Sequence, residues 1–120
     1  MKKILIADDK PEAVELVRVS LEGEDYEIVG ASNGKEALKR ARLERPDLIL
    51  LDIVMPKMDG FEVCRKLKKD PEIQEIPIIM LTAKGQKVDQ EKARQLGARD
   101  YITKPFSPSA LLTKIEEILA

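Results

Sequence analysis

Short apolar runs alternate with longer amphipathic segments along the whole chain. Five runs are rich in Ile, Leu and Val, and three of them contain at most one polar residue, at the first position, as expected for strands of a sheet that helices cover on both faces. The segments between them carry apolar residues at helical spacing, so the pattern predicts five strand–helix units with short connections. The predicted strands span residues 3–7, 26–29, 47–51, 76–81 and 100–103. The predicted fold class is therefore α/β, with a doubly wound five-stranded parallel sheet and helices on both faces.

Polar residues mark the ends of the predicted helices. Asn33 followed by Glu36 resembles a capping box, and Asp59 is placed to cap the third helix. Ser107 stands directly before a proline, a pairing typical of a helix start, and Gly97 is expected to end the fourth helix.

The fourth predicted helix, at about residues 86–96, has few apolar anchors. Only Val88, Ala93 and Leu96 are available to pack against the sheet. Such a helix buries little surface and belongs at the low-stability end of a structure. An ordinary solvated surface helix has the same pattern, but beside a chemical switch this helix is a candidate moving part.

Composition indicates one globular domain, predicted to span residues 1–120. Hydrophobic residues make up 43% and charged residues 36% of the chain, which suits a single buried core. The net charge is −1 and there is no His, so no broad basic face is implied. With two Phe, two Tyr and no Trp there is also little to stack on bases. We therefore expect no direct binding of nucleic acid by this domain.

The single cysteine and the lack of long apolar runs exclude other classes. Cys64 cannot form an internal disulfide or a cysteine-built zinc site, and it shares a helical face with Phe61 and Leu67, which predicts a buried, inert thiol. No apolar run approaches the ~20 residues that cross a bilayer. The run that follows Met1 is too short for a signal-peptide core. We therefore expect a cytoplasmic protein without membrane contact.

Five polar residues directly follow predicted strands. Asp8 and Asp9 follow the first strand, Asp52 the third, Thr82 the fourth and Lys104 the fifth. Taken singly, each has an ordinary alternative: solvated or capping aspartates, a β-branched strand residue, an exposed lysine. Because parallel strands end at one edge of the sheet, where open α/β sheets bind ligands, the five together predict a site for a metal ion and a phosphoryl group.

The three aspartates are expected to meet. In the flavodoxin-like strand order 2-1-3-4-5 the first and third strands are neighbours, which brings Asp8 and Asp9 beside Asp52. Two unit charges about 4 Å apart repel by roughly 4 kcal/mol at an effective dielectric near 20, so the cluster needs a cation or a proton. Oxygen ligands favour Mg²⁺, Mn²⁺ or Ca²⁺ over zinc.

A carboxylate in such a site can accept a phosphoryl group as nucleophile and form an acyl phosphate. A metal ion and Lys104 would stabilise charge on the transferring oxygens, and the Thr82 hydroxyl can donate to the same group. Charge added at Asp52 would draw Thr82 inward and vacate space into which the Tyr101 ring can move. The alternative for Tyr101 is a half-buried ring with its hydroxyl in water.

Five stretches of the chain occur in an order and spacing that are specific to one family, although each stretch alone would be weak evidence for it. They are Ile-Ala-Asp-Asp (6–9), the segment from Asp-Leu-Ile to Met-Asp-Gly (47–60), Pro-Ile-Ile-Met-Leu-Thr-Ala (77–83), Gly-Ala-Arg-Asp-Tyr-Ile (97–102) and Thr-Lys-Pro-Phe (103–106). Through them the chain resembles the receiver domain of two-component response regulators over essentially its whole length.

The resemblance implies a phosphoacceptor and a set of metal ligands. Asp52 would accept the phosphoryl group from the phosphohistidine of a sensor histidine kinase. Asp9 and Asp52 would bind Mg²⁺, or Mn²⁺, directly, joined by the backbone carbonyl of Val54. Asp8 would act largely through water.

Further roles follow from the same resemblance. Thr82 corresponds to the switch hydroxyl, Lys104 to the phosphate-binding lysine and Tyr101 to the switch aromatic, and the Lys104–Pro105 bond is expected to be cis. The family's variable positions are Val54 and Lys84. An apolar Val54 is expected to limit the access of water to the acyl phosphate and to lengthen its lifetime.

The resemblance also implies partners. The responsive surface would comprise the fourth helix, the fifth strand and the fifth helix, which would control a downstream target protein or an output domain. It implies a signalling domain rather than an enzyme, limited to self-catalysed phosphotransfer and slow self-dephosphorylation. We expect a monomer or a phosphorylation-dependent dimer. Because the chain stops at Ala120, directly after the last predicted helix, we expect a stand-alone regulator or the receiver of a longer protein.

Three other classes remain as alternatives. A Mg²⁺-dependent phosphohydrolase with an aspartyl nucleophile would use the same carboxylates, but such enzymes usually need a second general acid and a cap over the substrate. A flavin-binding electron carrier of the same topology needs aromatic residues around its ring, and this chain has few. A receiver-like module that binds a partner without phosphorylation would not need the complete set of site residues.

Overall fold

The computed structural model describes residues 1–83 and 87–120. Within these ranges strands and helices alternate, and the strands pair in parallel. The strands are β1 (Lys2–Ala7), β2 (Tyr26–Ala31), β3 (Leu48–Asp52), β4 (Ile78–Ala83) and β5 (Asp100–Lys104). The helices are α1 (Pro11–Ser20), α2 (Gly34–Glu44), α3 (Gly60–Lys69), α4 (Lys87–Gln95) and α5 (Pro108–Leu119). The strand order β2-β1-β3-β4-β5 confirms the predicted doubly wound fold.

The apolar strands bury side chains on both faces of the sheet. In β1, Leu5 belongs to a core cluster that includes residues of α2, α3 and α4, whereas Ile4 and Ile6 belong to a second cluster with α1 and α5. In β3, Ile49 and Leu50 divide between the two clusters in the same way. Successive side chains of a strand point to opposite faces. This alternation explains why β3 and β4 carry no polar residue before Asp52 and Thr82.

Side-chain caps fix the starts of three helices at the predicted residues. The side chain of Asn33 accepts a hydrogen bond from the amide of Glu36 at 2.8 Å, and the Glu36 carboxylate accepts one from the amide of Ser32 at 2.9 Å. Asp59 caps α3 and Ser107 caps α5 in the same manner, at 3.0 and 3.1 Å. These caps define the residues at which the loops at the carboxyl edge of the sheet end and the helices begin.

Four strands end later than the sequence pattern predicts: β2 at Ala31, β3 at Asp52, β4 at Ala83 and β5 at Lys104. β4 begins at Ile78 rather than at residue 76, because Pro77 has no amide hydrogen for the strand ladder. It continues through Thr82, which pairs with Thr103 of β5. β2 likewise extends to Ala31, where it pairs with Ala7. Thr82 is therefore a strand residue rather than the first residue after a strand.

Helix α4 is weakly anchored, but not through all the predicted residues. Its predicted start at Gln86 lies outside the described residues. Of the nine residues of α4, Ala93 is the buried one. The expectation that Val88 anchors the helix is wrong, since its side chain is 79% exposed. Five positions separate Val88 from Ala93, which at 3.6 residues per turn places them about 140° apart around the helix axis.

The environment of Cys64 agrees with a structural thiol. Its side chain is fully buried between α3 and the end of α4, with Sγ 3.8 Å from the carbonyl oxygen of Leu96. Burial raises the pKa of the Cys64 thiol, which disfavours the reactive thiolate. Within residues 1–83 and 87–120, no helix combines the length and the apolar character that a bilayer span requires.

Candidate functional site

Three carboxylates meet at the carboxyl edge of the sheet. Asp8 and Asp9 follow β1, and Asp52 is the last residue of β3, the strand next to it. One oxygen atom from each lies within 4.8 Å of the others. Asp8 and Asp52 are buried, with Asp52 only 4% exposed. The three aspartates therefore lie close together, as the strand order predicted.

A backbone contact of Gly60 holds Asp52 in place. The loop after β3 folds back so that the amide of Gly60 donates to the carbonyl of Ile53 at 2.8 Å. At this approach a Cβ on residue 60 would collide with the carbonyl oxygen of Asp52. Glycine is required here by close packing, and its φ is not in the left-handed region.

Lys104 bridges two of the carboxylates. Its Nζ atom donates a 2.8 Å hydrogen bond to Oδ2 of Asp8 and lies 3.4 Å from Oδ1 of Asp52. Lys104 is the last residue of β5, and two strands separate β5 from β1, so its side chain reaches across the edge of the sheet. The peptide bond from Lys104 to Pro105 is cis, as the family resemblance implied.

Two buried oxygen atoms of the site have no hydrogen-bond partner among the described residues. They are Oδ1 of Asp9 and the hydroxyl oxygen of Thr82. Buried polar atoms are nearly always satisfied in folded proteins, so such atoms at one edge of a sheet point to a missing partner. A divalent cation would satisfy the Asp9 oxygen, and a phosphoryl oxygen would satisfy the Thr82 hydroxyl. The oxygen donors present thus fit a hard cation such as Mg²⁺.

Burial and pairing change the protonation of Asp52 and Lys104. Desolvation raises the pKa of Asp52 from its ordinary value of 3.8, although the charge of Lys104 opposes the shift and that of Asp8 adds to it. Desolvation also acts to lower the pKa of Lys104, but the hydrogen bond to Asp8 and the charge of Asp52 outweigh it and raise that pKa above 10.5. Lys104 is therefore a permanent cation in the site, and Asp52 holds its proton more readily than a solvated aspartate.

Two further predicted residues, Val54 and Tyr101, are not members of the carboxylate cluster. Val54 lies two residues after Asp52 with a side chain that is 70% exposed. Tyr101 is a half-buried ring on β5, packed against the core cluster on the α4 face, and the Arg94 guanidinium lies 5.5 Å from the ring centre. Lys84, named as a variable position, lies outside the described residues.

Lys10 is a member of the site to which the sequence pattern assigned no role. Its amide donates to Oδ1 of Asp8 at 3.0 Å, and its Nζ atom lies 3.6 Å from Oδ1 of Asp9. The only available signal was its position directly after the paired aspartates. Lysine is common on surfaces, so that position alone carried little weight.

Comparison with known proteins gives one consistent family. The model of the response regulator receiver domain matches residues 4–116. The chain is 47% identical over 118 residues to the alkaline phosphatase synthesis transcriptional regulatory protein PhoP of Bacillus subtilis, covering 98% of this chain and 48% of PhoP. It is 42% identical to protein PilH of Pseudomonas aeruginosa, covering 100% of this chain and 99% of PilH.

Solved structures agree with the sequence relatives. Chemotaxis protein CheY4 of Vibrio cholerae superposes with a TM-score of 0.92 at 33% identity, over 99% of each chain. The chain spans about half the length of the curated transcriptional regulators that it matches.

Proposed function

The chain belongs to the receiver-domain family of two-component response regulators, and from that premise we propose that it accepts a phosphoryl group on Asp52 in a Mg²⁺-dependent reaction. The observation that carries the proposal is the cluster of three carboxylates bridged by Lys104 at the carboxyl edge of the sheet. The proposed receiver domain spans residues 1–120.

The reaction assigns one role to each group. An oxygen of ionised Asp52 attacks the phosphorus of a phosphohistidine, the phosphorus–nitrogen bond breaks, and the imidazole leaves with the bonding electrons and takes up a proton. Lys104, already 3.4 Å from Asp52, is placed to neutralise charge on the transferring oxygens. The hydroxyl of Thr82 is free to donate to the product.

The proposed metal ligands are Asp9, Asp52 and the backbone carbonyl of Val54, with Asp8 acting through water. A bound Mg²⁺, or Mn²⁺, would supply charge neutralisation for the incoming phosphoryl group. The orphaned oxygen of Asp9 and the closeness of the three carboxylates support this assignment.

The proposed output is a change in the surface formed by α4, β5 and α5. Receiver domains are signalling domains, so the donor is proposed to be a sensor histidine kinase and the recipient a downstream protein or an output domain. Thr82 and Tyr101 are the proposed switch pair, because Thr82 lies on β4 next to β5, which carries Tyr101. The protein is proposed to act as a monomer or a phosphorylation-dependent dimer, without turnover of external substrates.

Intact-mass analysis after incubation with acetyl phosphate and Mg²⁺ tests the proposal. One phosphoryl adduct is expected on the wild type and none on Asp52→Asn. Asp59→Asn is a matched control, because asparagine caps a helix as aspartate does and residue 59 lies in the loop that follows Asp52. An adduct that persists in Asp52→Asn contradicts the assignment. Continuous release of phosphate from p-nitrophenyl phosphate would identify a phosphohydrolase instead.

A further inference from the structure

Lys10 places a second ammonium group against the acidic cluster. Its backbone is fixed there by the 3.0 Å hydrogen bond from its amide to Asp8, while its side chain is 57% exposed. The 3.6 Å separation between Nζ and Oδ1 of Asp9 is too long for a hydrogen bond, so Lys10 acts on Asp9 as a nearby charge. The Asp9 oxygen that it faces is the one without a hydrogen-bond partner among the described residues.

The formal charges around the site indicate how Lys10 affects the binding of a cation. Three ionised carboxylates faced by Lys104 and Lys10 carry a formal charge of −1 together. A divalent cation would turn that charge to +1, whereas a phosphoryl group, which brings the acceptor carboxylate to roughly −2, would return it to zero. Of the two lysines, Lys10 is the one beside Oδ1 of Asp9, a proposed ligand of the cation, so its charge acts directly on the atom that would bind the metal.

We propose that Lys10 weakens the binding of a divalent cation to the unphosphorylated cluster, so that occupancy of the site depends more strongly on the coupling between the cation and the phosphoryl group on Asp52. The inference rests on the proposed function, since it concerns the same metal site. Coupling of this kind is reciprocal: if the phosphoryl group strengthens metal binding, the metal strengthens retention of the phosphoryl group by the same factor.

The structure allows Lys10 to be replaced without disturbing its surroundings. Lys10 occupies the residue before α1 but makes no side-chain capping bond, so its loss does not uncap the helix. Its stem lines an apolar groove with Leu16 of α1 and Phe106, and methionine keeps that apolar stem while removing the charge. Lys10→Met is therefore the informative variant.

Calorimetric titration of the metal-free proteins with MgCl₂ alone tests the inference. Lys10→Met is expected to bind Mg²⁺ about threefold tighter or more than the wild type at low ionic strength, and the difference is expected to shrink as added salt screens the charge. Lys69→Met is the matched control. It removes the same charge from an exposed lysine at the end of α3, near the opposite edge of the sheet, and is expected to match the wild type.

A second titration measures the coupling. With beryllofluoride, a stable mimic of the phosphoryl group, Mg²⁺ binding is expected to tighten in both proteins, and Lys10→Met is expected to keep its higher affinity because the repulsion from Lys10 acts in both states. Equal affinities in the wild type and Lys10→Met, or an equal gain in both lysine variants, would overturn the role of Lys10 and leave the metal site intact. Absence of Mg²⁺ binding in every protein would overturn the metal site itself.

Discussion

At the scale of single residues, the site combines groups whose environments oppose one another. Asp52 is almost completely buried beside two further carboxylates, which disfavours its ionised form, yet it must be ionised to act as the proposed nucleophile. Lys104 provides the compensating charge in the absence of a metal ion, through contacts to Asp8 and Asp52. The metal-free cluster is therefore held together by a lysine and remains electrostatically strained.

The raised pKa of Asp52 predicts that Asp52→Asn stabilises the fold and that this stabilisation depends on pH. Because burial raises the folded-state pKa of Asp52 above 3.8, its contribution to stability is present below that pH and is lost as the pH rises through the raised pKa. At neutral pH the ionised carboxylate destabilises the fold. Asp52→Asn is thus expected to raise the free energy of unfolding of the metal-free protein by on the order of 1 kcal/mol.

Urea unfolding at neutral and acidic pH measures this difference. The gain is expected to shrink as the pH falls through the raised pKa of Asp52 and to be lost below 3.8, where the carboxyl is protonated in the folded and the unfolded state. A variant that is less stable than the wild type at neutral pH would contradict the assignment.

Val54 offers a second test at the residue scale. Its apolar side chain lies two residues from Asp52 and is 70% exposed, so substitution there perturbs access to the site and not the core. Val54→Asn is expected to speed loss of the phosphoryl group severalfold, because a polar side chain can hold the attacking water. The decay of the phosphorylated mass after the donor is removed gives the rate, and an unchanged rate would refute the role.

At the scale of elements, the loop after β3 and helix α4 differ sharply in how firmly they are held. The loop is locked by the approach of Gly60 to the backbone of Asp52. Helix α4 buries one described residue, Ala93, and is held instead through its cations: Nζ of Lys92 lies 4.6 Å from the Phe61 ring centre, and Arg94 lies over Tyr101. The loop that follows the proposed phosphoacceptor is thus firmly held, whereas helix α4 is loosely held.

Gly60→Ala is expected to destabilise the fold by about 2 kcal/mol or more, because the added methyl group collides with backbone and not with a movable side chain. Gly30→Ala is the control: its Cβ would meet a methyl group of Val14 at 3.3 Å, which can yield. Thermal unfolding of both variants measures the contrast. Similar losses in the two would argue against the close packing at Gly60.

The cation–ring contacts of α4 are open to a separate test. Lys92→Met and Arg94→Met are each expected to lower the local stability of α4 by about 0.5–1 kcal/mol, the usual value of such a contact at an exposed site. Amide hydrogen exchange of α4 measures the opening free energy. Lys87→Met removes the same charge from the first turn of the helix, and no ring contact of Lys87 is recorded in the described structure. An equal loss in this control would mean that net charge, and not the rings, is responsible.

At the scale of the whole molecule, a bound cation should stabilise the fold by mass action. A ligand that binds the folded state alone adds about 2.7 kcal/mol at a concentration 100 times its dissociation constant. Mg²⁺ is therefore expected to raise the melting temperature of the wild type, and Asp9→Asn is expected to abolish most of the rise. A rise of equal size in the Asp9→Asn variant would place the cation elsewhere.

Much of this organisation could be predicted from the sequence, because the fold follows from local patterns. Strand–helix alternation predicted a parallel sheet, and the flavodoxin-like strand order then placed Asp8, Asp9 and Asp52 together, as the structure has them. What the pattern could not reveal depends on three-dimensional contacts. Lys10 is distinguished from an ordinary surface lysine by its contacts with Asp8 and Asp9, and the exposure of Val88 depends on which face of α4 meets the sheet.

The division of the interior into two clusters has a consequence for the edge of the sheet at β5. Helix α4 packs into one core cluster and α5 into the other. Strand β5 forms one edge of the sheet, and both helices lie beside it. A protein that binds this surface therefore contacts two helices that are anchored in different parts of the core. One helix can tilt while the other keeps its position, so a small displacement of a single helix is enough to change the shape of the binding surface.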